Sequence, residues 1–336
     1  MNKGQVFFNC DYKGKIPISV AVYSLLSTAN PQRPLCIHLV HDDGFANDGG
    51  CEKIREIVGQ FPFATVIFAN ISSLLEKHPE LLGAKWPPIT WAWAFCTEIF
   101  PELTGNLVFI DWDMYVRKDL GRLYDLDLEG QGMVSAAVNE SLREHRPLLV
   151  AAGWPRAAGY SINSGTQVIN TDAFRREHIR EKMFAWYVAH KDIAECVEQD
   201  AANVVYGERI LRLHLKYNFT VGWFDRMLNH NPLLRRWRVY PTQMVFEACA
   251  DPSILHFIGH RKPWWWNHRA YRNVYRKAME KLGLFDPEAY GETLFRKAQG
   301  VFFDLYNAAV AAYARFALRT IFRKCRPMSD STAERE

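Results

Sequence analysis

The chain has no Cys-x-x-Cys pair, no apolar run long enough for a membrane helix, no internal repeat and no low-complexity segment. Each absence removes a class of protein. Seven cysteines, odd in number and scattered from Cys10 to Cys325, supply neither a disulfide frame nor a thiolate zinc site, and they fit a reducing compartment. Near the C-terminus the longest charge-free apolar run, Leu305–Ala314, has ten residues, half of the ~20 that a spanning helix needs. The start, Met1-Asn2-Lys3-Gly4-Gln5, passes straight into Val6-Phe7-Phe8 without the segments of a secretory signal, so a cytoplasmic chain is expected. Net charge is also slight: 41 basic against 37 acidic residues in 336, a formal +4. That small excess is unevenly placed, because residues 261–336 hold 15 basic and 8 acidic side chains while residues 1–260 hold 26 and 29. A near-neutral body with a basic tail and no nucleic-acid recognition motif is a poor nucleic-acid binder.

What is present is a core. Hydrophobic residues make up 49 % of the chain, ample for one large α/β domain with an appendage and incompatible with wholesale disorder. Short β-rich runs alternate with helical stretches, which predicts a mainly parallel sheet covered by helices. Strands are expected at Val6–Cys10, Leu35–Val40, Thr65–Ala69 and Leu107–Ile110, with helices at Pro17–Ala29, Cys51–Gln60 and around Trp91–Phe100. The composition changes near Trp264–Asn267, beyond which Arg and aromatic residues dominate. That divides the chain into residues 1–267, the main α/β domain, and 268–336, a basic helical extension.

In such sheets ligands bind at the carboxyl ends of strands. Asp11 lies there after the first strand, and Asp111-Trp112-Asp113 after a later one. Period-two spacing points both carboxylates of Asp111 and Asp113 one way, a pair suited to a hard divalent cation. Alone, an Asp-x-Asp is more ordinarily a turn. His256-Phe257-Ile258-Gly259-His260-Arg261-Lys262-Pro263-Trp264 adds an imidazole, a glycine that lets backbone approach a ligand, and a lysine suited to phosphate. Imidazole beside two carboxylates favours manganese, with magnesium as the alternative ion. Tyr160–Asn170 reads as a polar turn leading into a short strand, in which Asn163 offers donor and acceptor to sugar hydroxyls. Glu198-Gln199-Asp200 reads as a helix start, for which first-turn acids are the ordinary explanation.

Taken together, in this order and spacing, these segments resemble the retaining glycosyltransferases of family 8, over roughly Val6 to Trp264. The resemblance implies a GT-A fold, that is, a Rossmann-like mixed sheet flanked by helices, and a manganese-dependent enzyme that takes a UDP-hexose as donor. It implies that Asp111, Asp113 and His256 are the metal ligands, that Gly259 and Lys262 meet the diphosphate and that Asp11 meets the nucleoside. It also implies that Asn163 contacts the sugar and that Glu198-Gln199-Asp200 stands where the family has Asp-Gln-Asp, with the Gln199 amide by the reacting carbon and Asp200 an alternative nucleophile. Leu215–Phe219 resembles a further family segment. Three departures accompany the match: Trp91-Ala92-Trp93 replaces a Tyr-x-Arg donor contact, Glu198 replaces an Asp, and Asn139 stands where an Asp that holds the donor sugar is common. The alternative is a nucleotide-sugar-binding protein that has lost turnover. A sugar nucleotidyltransferase would show a Gly-rich phosphate loop near the first strand, and Asn9–Gly14 is not one.

The acceptor implied is a saccharide or glycolipid such as a lipopolysaccharide. In the tail, Arg315, Arg319, Arg323 and Arg326 fall within about 80° of one helix face, with Ala314, Ala317, Leu318, Ile321 and Cys325 opposite. Two readings stand side by side. One is an interfacial helix on an anionic membrane, placing the enzyme peripherally at the inner face of the cytoplasmic membrane. The other is a helix packed on the catalytic domain with a solvated basic face.

Overall fold

The structure, a computed structural model, describes residues 3–82, 86–142, 146–155, 159–221, 240–259, 262–265, 271–291, 293–323, 327, 328 and 330, the side chains of 139–142 excepted. Its centre is a seven-stranded sheet in the order β3-β2-β1-β4-β7-β6-β8. The strands are β1 (Gly4–Cys10), β2 (Leu35–His41), β3 (Ala64–Asn70), β4 (Asn106–Ile110), β6 (Ser135–Leu142), β7 (Tyr160–Asn170) and β8 (Ile210–Arg212). Strands β1 to β4 are mutually parallel, β7 runs against both β4 and β6, and β6 is parallel to β8. A second sheet, β5 (Met114–Val116), β10 (Ile254–His256) and β9 (Phe219–Thr220), lies in the order β5-β10-β9.

The alternation of β1 explains the layers. Val6, Phe8 and Cys10 enter one apolar cluster with Leu25 and Leu26 of helix α1 (Lys15–Thr28) and Ile54 of α2 (Gly50–Val58). Phe7 points into the other cluster, with Trp91, Trp93 and Phe109, so both faces of the sheet are covered. The expected strands and the first two helices are present within a few residues of their predicted bounds.

Two expectations are corrected. The helix expected around Trp91–Phe100 is a tight 3₁₀ segment, Pro88–Trp93, followed by one short helix, Cys96–Ile99. Every residue from Trp91 to Cys96 is buried, so the segment has no polar face to present to water. Trp91 packs on Tyr187 and Trp93 on Phe109, all within the second apolar cluster. The second correction concerns Tyr160–Asn170, which is one eleven-residue strand rather than a turn and a short strand. Its Ser161, Thr166 and Gln167 are wholly buried between β4 and β6, which hides the strand from an apolar-pattern reading. Asn139 likewise lies within β6, paired with Ile162 beside a register shift, and not after the strand.

Beyond the cleft, α3 (Val197–Tyr206) precedes β8, and α4 (Thr242–Ala250), α5 (Arg272–Lys281) and α6 (Leu294–Thr320) complete the chain. Tyr275 and Met279 of α5 and Ala314 of α6 join the first apolar cluster. Helix α6 packs on α4 through buried Ala314 and Ala317, with Phe246 against the rings of Tyr313 and Phe322. Arg315 donates to the Ala250 carbonyl at 3.1 Å. The basic face is therefore partly turned inward, the helix ends before Arg323, and Cys325 and Arg326 lie outside the described residues. Ile321, expected on the packed face, is exposed, and the solvent side is largely apolar, carrying Leu294, Phe295, Val301, Phe302, Leu305 and Phe316. Among the described residues no helix is long and apolar enough to cross a membrane.

Candidate active site

Parallel pairing of β1 with β4 sets Asp11 and Asp111 at the carboxyl ends of neighbouring strands. The small sheet does the rest: antiparallel pairing places His256 opposite Met114, and the Phe257 amide donates to the Asp113 carbonyl. Asp111, Asp113 and His256 thereby offer ligand atoms that all lie within 4.8 Å of one another. His256 Nε2 is 3.2 Å from Asp113 Oδ1 and 3.8 Å from Asp111 Oδ2.

The surrounding hydrogen bonds decide which nitrogen faces the acids. His256 Nδ1 lies 2.7 Å from Asn218 Oδ1, an oxygen that can only accept, so Nδ1 carries the proton and Nε2 presents a lone pair. Asn218 Nδ2 in turn donates to Asn163 Oδ1 at 2.7 Å, which also accepts from the Gly165 amide at 3.0 Å. The Asn163 carbonyl is therefore committed to holding Asn218. A Cβ on Gly165 would meet His256 Cε1 at 2.5 Å, so only glycine leaves room for the ring. Sequence reading quoted the Leu215–Phe219 segment but assigned Asn218 no role, and an amide inside a resembling segment was the available signal.

The electrostatics fit a cation. Burial first, then the Asp113 charge, pushes the Asp111 carboxyl up to about 7. Burial would also raise Asp113, but Lys262 and, in its doubly protonated form, His256 hold it below the usual carboxylate range; in the neutral ring the Nε2 lone pair is available to a cation instead. Two desolvated carboxylates resist sharing negative charge unless a cation joins them. Among the described residues, buried Asp113 Oδ1 has no hydrogen-bond partner, an acceptor 3.2 Å from His256 Nε2. Two carboxylates and one imidazole therefore fit a divalent ion of the manganese or magnesium type. Lys262 Nζ donates to Asp113 Oδ2 at 2.5 Å and to the Phe257 carbonyl at 2.8 Å. Gly259 reaches Lys262 through a left-handed φ of 81°, a backbone state that favours glycine.

The first turn of α3 closes the cleft. Gln199 Oε1 accepts from the amide and hydroxyl of Ser164 at 3.0 and 3.2 Å, which turns the amide nitrogen away from Ser164. Glu198 is buried, and desolvation, aided by the charges of Asp111 and Asp200, raises its carboxyl to about 8. Asp200 is different: Oδ1 accepts from Arg146 at 2.5 Å, and Oδ2 accepts from the amides of Glu195 and Cys196 at 2.9 and 3.0 Å. Both of its oxygens thus have partners, the Arg146 guanidinium and the amides of the two residues before α3. Asp11 Oδ1 accepts from the Lys13 amide at 3.0 Å, and burial raises its carboxyl. The Asn139 side chain and His260 lie outside the described residues. Trp91 and Trp93 are core residues. Trp264 packs on Trp112 with ring centroids 6.0 Å apart.

A nucleotide-binding type of sheet with an Asp-x-Asp/His cluster at its strand ends defines a glycosyltransferase of the GT-A fold. Solved structures carry the same fold: the galactosyltransferase LgtC, solved with donor and acceptor sugar analogs, matches with a TM-score of 0.65 at 19% identity, covering 85% of this chain and 99% of that one. The model of glycosyl transferase family 8 matches residues 5–267. General stress protein A of Bacillus subtilis is 27% identical over 263 residues, covering 75% of this chain and 84% of the relative. Glycosyltransferase GlyE of Streptococcus pneumoniae is 25% identical over 178 residues, 52% of this chain and 37% of that longer protein. The chain belongs to glycosyl transferase family 8 and is a hexosyltransferase.

Proposed function

We propose that the protein is a manganese-dependent retaining transferase that moves glucose or galactose from a UDP-hexose to a saccharide acceptor, a lipopolysaccharide or other surface glycan. The observation that carries the reading is Asp113 Oδ1, which has no hydrogen-bond partner among the described residues and lies 3.2 Å from His256 Nε2. In this reading Asp111, Asp113 and His256 hold the cation, which neutralises charge on the departing diphosphate. Lys262 adds a second positive charge at the same oxygens, and the backbone at Gly259 comes close to them. Asp11 meets the nucleoside, while Glu198, Asn139 and Asn163 surround the donor sugar.

The acceptor hydroxyl attacks from the face that the leaving group departs, its proton passing to the departing phosphate oxygen, and Gln199, held by Ser164 through its amide oxygen, positions the reacting sugar. Asp200 keeps Gln199 in register by capping α3. Residues 1–267 do this chemistry in the cytoplasm. Residues 268–336 hold the enzyme at the inner face of the membrane, a reading supported by the exposed apolar side of α6 and by Arg319 and Arg323 at its end.

UDP release from a panel of UDP-sugars, with manganese, with EDTA and with Asp113→Ala, tests this. Manganese-dependent release from one sugar, abolished in the variant, is expected. Release that survives both EDTA and the substitution overturns the metal assignment, and absence of UDP binding overturns the donor.

A further inference from the structure

Asp330 lies beyond the end of α6 yet is only 5 % exposed. Its carboxylate accepts from Lys216 and from Arg122, which lies on the connection between β5 and β6. Its backbone carbonyl accepts from the His214 amide at 2.9 Å. Two residues earlier, the Met328 amide donates to both carboxylate oxygens of Glu247 on α4, at 3.0 and 3.1 Å. His214 holds Glu247 in turn: its Nδ1 accepts from the Lys216 amide at 3.0 Å, so Nε2 carries the proton and donates to Glu247 at 3.0 Å. Burial would raise the Asp330 carboxyl, but the hydrogen bonds and charges of Lys216 and Arg122 hold it below the usual carboxylate range, so it is ionised where it meets them.

The segment gripped in this way is the one that orients the imidazole of the cation site. Leu215–Asn218 is a single 3₁₀ turn, a tight form used in short pieces because its hydrogen bonds are poorly aligned. Such a turn takes its position from what anchors it. On one side the anchor is β10: the Ser253 amide donates to the Lys216 carbonyl at 2.9 Å, and His256 Nδ1 donates to Asn218 Oδ1 at 2.7 Å. On the other side the anchor is Asp330, through the Lys216 ammonium and the His214 amide. Lys216 thus joins a carboxylate beyond the last helix to the strand that ends in His256. The Lys216 side chain is 26 % exposed, and its pair with a buried acid is screened less than one at the open surface.

We infer that Asp330 is a positioning residue for the cation site. By gripping Lys216 it fixes the turn at residues 214–218, and through Asn218 it keeps His256 Nε2 toward Asp111 and Asp113. The inference rests on the metal reading above, and it gives the extension a part in the chemistry of the cleft.

The test compares the full chain with Asp330→Asn, Lys216→Met, the two combined, and a charge-matched control, Glu129→Gln, which breaks an exposed pair with Arg176. Hydrogen exchange without metal, followed over residues 214–221 and 253–257, reads the grip itself. Manganese titration by electron paramagnetic resonance reads the site. Asp330→Asn is expected to speed exchange in both segments at least about threefold and to weaken manganese affinity about three- to tenfold, less than the about 10–100-fold of losing a direct outer partner. The control should match wild type, and the combined variant should bind no more weakly than the weaker single variant, because both remove the same link. Unchanged exchange over 253–257, or unchanged manganese affinity in Asp330→Asn, overturns the inference. So does faster exchange spread evenly over β1 to β4, which marks Asp330 as a general stabiliser. A wild-type chain that binds no manganese defeats the metal reading and this inference with it, an outcome visible before any variant is compared.

Discussion

The cleft and the C-terminal helices both gather charge, but they hold it differently. In the cleft, opposite charges are interleaved: Asp113 meets His256 and Lys262, and Asp200 meets Arg146. The cleft residues Asp113, His256, Gln199 and Asp200 are buried, whereas α6 leaves Leu294 and Phe295 85 and 71 % exposed. Buried charge must be paired inside the protein, since desolvation is otherwise too costly. Surface charge stays hydrated and carries no such requirement.

The largest expected effect strikes the balanced region. Asp113→Ala leaves His256 and Lys262 facing each other without their acid, so UDP release falls by roughly 10³-fold or more. Circular dichroism confirms that the variant is folded, and undiminished turnover would break the comparison at its strongest point. Glu198→Gln tests the cost of buried charge. The folded-state carboxyl titrates at about 8, above the ~4.3 of the unfolded chain, so the wild-type enzyme loses stability as pH rises through that window. The variant removes this slope and gains a few kcal/mol above pH 8, with little change at pH 4. Denaturant melts at several pH values check the sign.

A smaller effect is expected for a positioning residue. Asn218→Ala frees His256 to rotate and weakens manganese affinity about 10–100-fold, with the melting profile without metal less affected. Manganese titration read by electron paramagnetic resonance distinguishes this from a general loss of structure. Smallest is Arg315→Ala, which removes one exposed bond from α6 to the Ala250 carbonyl and costs about 0.5–1.5 kcal/mol. Its UDP-release rate should match wild type, and a large loss would mean that α6 itself bears on catalysis.

How much of this was legible differs along the chain. The strands β1 to β4 announced themselves as short apolar runs with turn residues between them, and both acids of Asp111-Trp112-Asp113 followed from period-two spacing. The strand β7 did not, because its polar Ser161, Thr166 and Gln167 are buried by β4 and β6, strands that only the fold brings alongside it. The Trp91–Cys96 segment read as a helix by composition, but all six of its residues are buried, more than a helix with one covered face would hide. The basic face drawn for the last helix ran past the helix end at Thr320, with Arg323 beyond it and Arg326 outside the described residues. It could not show that Arg315 turns inward to a carbonyl, or that α4 covers the alanines while larger apolar residues stay outside.

By itself the sequence determined the alternating architecture, the family and the residue types that could hold a cation, since periodicity and motif order are properties of the chain alone. Only the tertiary structure decided which atoms face that cation. Pairing β10 with β5 brings His256 to Asp113, Asn218 selects the nitrogen, and Ser164 holds Gln199, each through a contact between residues distant in sequence. It also decided that both oxygens of Asp200 have partners and that Asp330, beyond the last helix, reaches back to Lys216. Such outcomes depend on packing between segments, and no local pattern of side chains encodes them.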